Sequence, residues 1–334
     1  MKIVVSGATG SLGRAVMQHL ANQGHEVLGL GRNETKLQSL EAEGFAVQKC
    51  DILEVNQIEN SIIGMDMLVH CAAFASPFGS KRRYFESNLQ GTKNIFIAAK
   101  YRSIKRVIVI SSASIFDGGR PDIKHPDDLP HRSMRPKHHY GASKYDAELF
   151  CSTQDDIEWV GLRPRAVFGK GDETLIPRLE RLISKKRYIT IGKGDALVDL
   201  TCLGNFLDAV SCAIDADAAA LYKFYNISNG DARSFKAIVA AYANRHGNQL
   251  KHRNIPLLPV LIYAKIIETI ASLIPGKTWE PAITTYGLRQ VTRTLRLDIS
   301  GAKRHLGWSP RLTFEEGMEA VSYTHLTLPT SSQV

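Results

Sequence analysis

Short apolar runs separated by longer stretches of helical spacing organise the first half of the chain. The runs fall at residues 3–5, 27–30, 46–47, 67–69, 107–110 and 160–162 and read as the apolar centres of short buried strands. Between the first two, Leu12, Ala15, Val16 and Leu20 share one helical face. Strand and helix alternating in this way predict an α/β fold, a doubly wound parallel sheet with helices on both sides. Crossovers in such a sheet are right-handed, and ligands sit at the carboxyl ends of its strands. Beyond Leu162 the order loosens. Pro164, Gly169, Gly171 and Pro177 mark loops, residues 224–227 read as a strand and 234–244 as a helix. The expected division is a first domain over residues 1–165 and a smaller α/β domain over 166–321, with some elements returning to the sheet. Residues 255–274 are unusually apolar, but Pro256, Pro259, Lys265 and Glu268 interrupt them. That makes a poor membrane span and predicts a buried or amphipathic helix, with a helix resting on a membrane as the alternative. Helical spacing resumes at 314–321. The tail at 322–334 has no periodicity and is expected to be disordered or foreign to the fold.

Composition supports this picture and narrows it. With 334 residues, 44% of them hydrophobic and 22% charged, the chain can bury a large core and is not a disordered type. The formal net charge of +9 is spread thinly, with short runs only at Lys81-Arg82-Arg83 and Lys185-Lys186-Arg187. No recognition motif accompanies it, so nucleic acid is not an expected partner. The five cysteines (Cys50, Cys71, Cys151, Cys202 and Cys212) are odd in number and form no Cys-x-x-Cys pair. Neither a disulfide framework nor a metal site is expected, and a reducing, cytoplasmic setting is. The first apolar run ends at Gly7, too soon for a signal peptide.

Candidate chemistry starts at that point. Ile3-Val4-Val5 leads into Ser6-Gly7-Ala8-Thr9-Gly10-Ser11-Leu12-Gly13 and then a helix. Gly7 permits a tight turn, Gly10 lets backbone approach a pyrophosphate, and Gly13 lets the helix pack closely. Thr9, Ser11 and Leu12 complete a helix amino terminus whose free N–H groups and dipole face the anion. The spacing is Gly-x-x-Gly-x-x-Gly, and at the first strand-to-helix junction it predicts a dinucleotide-binding (Rossmann) domain. The second strand ends at Arg32, where an enzyme that binds NAD usually carries an acid for the ribose 2′-hydroxyl. A guanidinium there suits a 2′-phosphate, with Arg14 and Lys36 adding charge. NADP(H) is therefore the preferred cofactor, without excluding NAD(H).

Tyr140-Gly141-Ala142-Ser143-Lys144 opens a predicted helix and sets a phenol and an ammonium one turn apart. Such a neighbour is expected to lower the phenol pKa from about 10 toward neutrality, making it a usable general acid or base. The fifth strand ends in Ser111-Ser112-Ala113-Ser114, which sets a hydroxyl at the sheet's carboxyl edge. His70, His138 and His139 read as strand-end or loop residues rather than metal ligands.

Together with the glycine turn, these segments resemble the extended short-chain dehydrogenases, the epimerase/dehydratase-like superfamily. The resemblance extends through Asn88-Leu89-Gln90-Gly91-Thr92-Lys93-Asn94, through Arg163-Pro164-Arg165-Ala166-Val167-Phe168-Gly169, and to Asp298-Ile299-Ser300 and Leu306-Gly307-Trp308-Ser309-Pro310. It implies that Asp51 contacts adenine and that Ile52, Cys71, Ala72, Ala73, Arg163, Pro164 and Val167 line the cofactor. With the chemistry above, it also implies that Ser112 binds the substrate carbonyl and Tyr140 exchanges its proton. Lys144 would tune Tyr140 and hold the nicotinamide ribose, and Asn88 would order a water behind Lys144. Gly169-x-Gly171-Asp172, Ile176-Pro177-Arg178-Leu179 and the apolar 255–274 segment are most similar to the 3β-hydroxysteroid dehydrogenase and 3-oxoalkanoate reductase branch. Phe116-Asp117-Gly118 departs from the family's Tyr-Gly and should change polarity beside the serine.

The expected activity is NADP(H)-dependent hydride transfer to or from a hydrophobic ketone or secondary alcohol, steroid-like or 3-oxoacyl. One alternative is a nucleotide-sugar 4-epimerase with tightly bound NAD, which would favour an acid at position 32. A 4,6-dehydratase would place acids where Ala113 and Ser114 stand. A non-catalytic NADP sensor would have little need for both Tyr140 and Lys144. Family members are often dimers, so a homodimer is expected.

Overall fold

The computed structural model describes residues 1–119, 124–125, 127–172, 175–184, 187–244, 251–274 and 281–325. Seven strands form one parallel sheet: β1 (Lys2–Ser6), β2 (Glu26–Gly31), β3 (Ala46–Lys49), β4 (Met67–His70), β5 (Arg106–Ile110), β6 (Glu158–Pro164) and β7 (Lys223–Ile227). Their spatial order is β7-β6-β5-β4-β1-β2-β3, so the winding reverses between β1 and β4. That reversal opens a crevice at the carboxyl edge. Between the strands run α1 (Ser11–Asn22), α2 (Glu34–Ala42), α3 (Val55–Ser61), α4 (Lys81–Phe85), α5 (Gly91–Tyr101) and α6 (His139–Cys151). A single π-helical turn, Glu86–Gln90, joins α4 to α5. The second half adds α7 (Ile176–Arg181), α8 (Leu203–Ile214), α9 (Phe235–Asn244), α10 (Leu257–Leu273), α11 (Thr285–Thr292), α12 (Ser300–His305) and α13 (Phe314–His325).

Strand periodicity splits the core into two layers. Ile3, Val5, Val69, Ile108, Ile110 and Leu162 face Val16, Met17 and Leu20 of α1 and Phe206, Ala209 and Val210 of α8. Val4, Leu68, Val107, Val109 and Trp159 point the other way, against Ile58 of α3 and Ile95, Phe96 and Ala99 of α5. Two elements from beyond residue 166 take part in these layers: β7 pairs with β6, and α8 packs on the sheet. A separate cluster around Phe168, Ile176, Leu200, Phe235, Ile238 and Phe314 holds much of the rest together. Two expectations need correction. The helix at 257–273 is neither buried nor turned polar side outward, since Ala264 is its single buried residue. The tail does not begin at 322, because α13 continues to His325; residues 326–334 lie outside the described residues.

Apolar burial, at about 1.5–3 kcal/mol per side chain, is spread over dozens of positions and holds no one loop in place. Buried charges do. Arg163 donates to both carboxylate oxygens of Glu148 at 2.7–3.0 Å, and Ser111 donates to the same carboxylate. The guanidinium also donates to the Asp127 carbonyl and lies over the rings of Phe224 and Phe116. The Arg163 side chain is thus held in the interior and is absent from the lining of the crevice where a cofactor contact was expected. Strand alternation sends its side chain into the interior and leaves the adjacent Pro164 to line the crevice.

Removing one partner of a buried pair strands the other charge. Arg163→Met is expected to lower the urea midpoint and cost about 3–5 kcal/mol, whereas Arg82→Met, which breaks an exposed pair with Glu86, should leave the midpoint unchanged. Equal midpoints for wild type and Arg163→Met would contradict this.

Candidate active site

The crevice begins at the turn after β1. Gly7 has φ +76°, and a Cβ there would meet the Ala72 backbone at 2.7 Å. A Cβ on Gly13 would fall 2.2 Å from the Gly7 carbonyl oxygen, so α1 seats directly on the turn. Gly10 differs, since nothing but the Gly7 carbonyl comes within 4 Å of its Cβ position. It caps α1 without a side-chain hydrogen bond. The result is a helix amino terminus with bare surface before it, a cradle suited to a pyrophosphate. The residues fit the dinucleotide expected there. A cleft of about 550 Å³ runs from this turn, lined by Gly7, Thr9, Gly10, Ser11, Leu12, Gly13, Arg32, Ile52, Cys71, Ala72, Ala73, Pro164 and Val167. It continues to Ser112, Tyr140 and Lys144.

At the far end of the turn, Arg32 is largely exposed and stands 3.6 Å from the Asp51 carboxylate. That carboxylate also accepts from the Leu53 N–H at 3.0 Å. Asp51 sits at the rim rather than among the lining residues, between Cys50 and Ile52, which do line the cleft. Asn94, buried on α5, fixes this loop by donating to the Ile52 and Leu53 carbonyls at 3.0 Å each. Lys36 lines the cleft. Arg14 does not join it, because both its contacts go to Glu43 just past the end of α2.

Beneath the turn, His70 is buried and hydrogen-bonded to Ser6 at 2.8 Å and Thr92 at 3.1 Å. Burial, with the Lys144 charge nearby, pushes its pKa down to about 3, so the ring is neutral. Asn88, on the π-helical turn, accepts from the Phe74 N–H at 2.7 Å and donates to the Phe74 carbonyl and the Ser143 hydroxyl. These bonds fix the loop after β4 against α6.

Tyr140 and Lys144 emerge from the first turns of α6. His138 caps that helix by accepting from the Tyr140 N–H. Gly141 packs so closely on the Ser114 carbonyl that a Cβ would sit at 2.7 Å, which draws the helix onto the loop after β5. The Tyr140 phenol and the Ser112 hydroxyl line the same end of the cleft, where Ser112 is near enough to act on the phenol. Lys144 is buried and donates to the Ile110 carbonyl at 2.8 Å. Burial pulls its pKa down to about 8, against the opposing effect of Glu148. The expected lowering of the Tyr140 pKa is not found. Burial raises it, the Ser112 hydroxyl opposes this, and the nearby Asp117 carboxylate raises it further. The Lys144 ammonium points at the strand end, so desolvation decides the sign.

The hydroxyl chain continues past Ser112. Ser112 and Ser114 are 2.9 Å apart, and Ser114 is 2.9 Å from the Tyr286 hydroxyl. Tyr286, on α11, stacks on His138 at 4.0 Å. Beside it, Gln290 donates to the half-buried Asp117 carboxylate at 2.9 Å and accepts from Arg165. Burial raises the Asp117 pKa, against the Arg165 guanidinium. Arg165 is itself buried, and its Nε has no hydrogen-bond partner. The sequence signal for this wall was the acid of Phe116-Asp117-Gly118. Nothing local in the sequence links Tyr286 or Gln290 to it.

Comparison with known proteins agrees with this geometry. A solved UDP-glucuronic acid 4-epimerase from Bacillus cereus, in complex with NAD, superposes with a TM-score of 0.74 over 97% of this chain and 98% of that one, at 21% identity; it shows a shared fold. An uncharacterized protein of Escherichia coli (strain K12) is 30% identical over 327 residues, covering 96% of each chain. A 2-alkyl-3-oxoalkanoate reductase of Stenotrophomonas maltophilia (strain K279a) is 28% identical, over 95% of this chain and 97% of its own. Residues 3–228 match the NAD dependent epimerase/dehydratase family, and with the glycine turn, the buried Lys144 and the Ser112–Tyr140 pair in their places, the chain belongs to that family of extended short-chain dehydrogenases.

Proposed function

We propose that the protein is an NADP(H)-dependent reductase of hydrophobic ketones, most suited to 3-oxoacyl compounds. The observation that carries this reading is the meeting of Ser112, Tyr140 and Lys144 in the cleft that starts at the glycine turn. A bound reduced nicotinamide supplies the hydride from its ring C4. Ser112 orients the substrate carbonyl oxygen, and Tyr140 delivers a proton to that oxygen as the carbonyl carbon is reduced. A raised phenol pKa suits this direction, because it keeps Tyr140 protonated across neutral pH, the state a proton donor requires. Lys144 holds positive charge beneath the site while its pKa stays near 8. Arg32 leaves its guanidinium largely in solvent, free to exchange a weak surface pair with Asp51 for a ribose 2′-phosphate.

Phe74, Ala75, Phe168 and Leu203 give the cleft apolar lining alongside its polar groups. The unpartnered Nε of Arg165 adds one buried charge close to Tyr140. A hydrophobic ketone bearing an acid would complement both. The 2-alkyl-3-oxoalkanoate reductase that this chain resembles acts, by its name, on such a compound. Arg32 in place of an acid weighs against an epimerase that retains NAD.

Tyr140→Phe is expected to reduce NADPH oxidation with 3-oxo acids at least about a thousandfold, within the usual scale of general acid catalysis, while NADPH binding followed by fluorescence stays intact. Near-normal turnover would contradict the assignment. In the wild type, isomerisation of a nucleotide sugar without net NADPH consumption would instead identify an epimerase. Arg32→Asp is expected to reverse the cofactor preference, with KM for NADPH rising about tenfold or more through loss of a charged hydrogen bond. An unchanged NADPH to NADH ratio would refute the role of Arg32.

A further inference from the structure

Among the described residues, fourteen large hydrophobic side chains are exposed, and eight of them lie between Leu258 and Ile274. Seven are on α10, from 36% to 73% exposed. At helical spacing Leu258, Ile262, Ile266, Ile270 and Leu273 form a continuous outward stripe. The inward face is thin. Ala264 is buried, and with Leu257 and Val260 it packs on Ile191, Ile283 and Leu288 in a small cluster of its own. An ordinary surface helix turns its apolar stripe inward; α10 leaves most of its own in solvent, which marks an interaction surface.

The charges around the stripe narrow down what covers it. Glu268, the one acid of α10, is turned inward and accepts from the Thr285 N–H and hydroxyl. Lys265 is exposed on the same helix, and Lys251 and Arg253 are exposed on the strand Lys251–Ile255 that leads into it through Pro256. None of these three cations has an ion-pair partner among the described residues. Among the described residues no helix is long and apolar enough to cross a membrane, and at 17 residues α10 is about 25 Å long. Apolar surface flanked by unpaired cations, on a helix too short to span, is the pattern of a segment lying in a bilayer interface.

We propose that α10 docks this protein on the surface of an anionic phospholipid bilayer. Leu258, Ile262, Ile266, Ile270 and Leu273 enter the acyl boundary while Lys251, Arg253 and Lys265 meet lipid phosphates. Behind α10 lies α11, whose Tyr286 and Gln290 reach Ser114, Asp117 and Arg165. The docked face is thus one helix away from the reaction chamber, a short route for an apolar substrate leaving the bilayer. The docking itself rests on α10 and its cations, and would stand with another substrate.

The test is co-sedimentation of the full chain with vesicles of phosphatidylcholine alone or mixed with phosphatidylglycerol. The wild type is expected to pellet with the mixed vesicles and about tenfold less with phosphatidylcholine alone. Ile262→Glu with Ile266→Glu should lower binding about tenfold or more. Lys251→Glu with Arg253→Glu should remove the preference for phosphatidylglycerol and leave weak apolar binding. Circular dichroism melts check that both variants fold, and turnover of a water-soluble ketone should match the wild type in each. The proposal is overturned if the wild type fails to pellet, or if the isoleucine variant pellets as the wild type does. It is equally overturned if sedimentation velocity shows the isoleucine substitutions splitting a dimer that binds no vesicles, which would make this face a seam between copies.

Discussion

Two opposite charges buried one turn apart on α6 govern the geometry of the site. Lys144 is fastened to the last carbonyl of β5, and Glu148 to Arg163 of β6 and to Ser111 just beyond β5. Each ion costs several kcal/mol to desolvate, so neither is tolerated without fixed partners. Those partners are the ends of adjacent strands, and the helix can therefore sit in only one register on the sheet. That register sets Tyr140 against Ser112, and the close packing of Gly141 on Ser114 locks it. A hydrophobic contact could slide by a fraction of a turn; a bidentate ion pair cannot.

The same constraint accounts for which features could be read along the chain and which could not. Strands whose residues are buried on both faces, such as β1 and β5, show themselves as unbroken apolar runs, and the glycine turn has a local steric cause at Gly7 and Gly13. The edge strand β3 is mostly exposed, and its two-residue signal was correspondingly faint. Arg163 lies inside a family-like motif, yet its side chain points into the core because neighbouring strand residues alternate. Asn88 likewise belongs to a motif, but its partners, Phe74 and Ser143, are distant in sequence. The second wall of the site was illegible for a stronger reason. Tyr286 meets Ser114 across 172 residues, and no periodicity within either segment encodes that meeting.

Electrostatics also separates the two chemical halves of the cleft. Around the glycine turn, free N–H groups and Arg32 await an anion in a partly solvated setting. Around Tyr140, burial dominates: it raises the phenol and the Asp117 carboxyl and lowers Lys144 and His70. A dry setting keeps the proton donor protonated and concentrates the field of the few charges that remain. Helix α11 backs that setting through the bonds of Tyr286 to Ser114 and of Gln290 to Asp117, while Leu288 on the same helix packs against the inward residues of α10. Shape on one side of α11 and solvent-facing apolar surface on the other are thereby parts of one structure.

The central claim is that a protonated, buried Lys144 holds this arrangement in its working state. The most direct measurement is the pH dependence of kcat/KM for ketone reduction by NADPH, which reports the ionisations of the free enzyme and reactants. With Lys144 near 8 and Tyr140 above its usual value, the rate constant should fall as pH rises through about 8, well before the phenol ionises. A rate constant that stays flat until the tyrosine range would contradict the account.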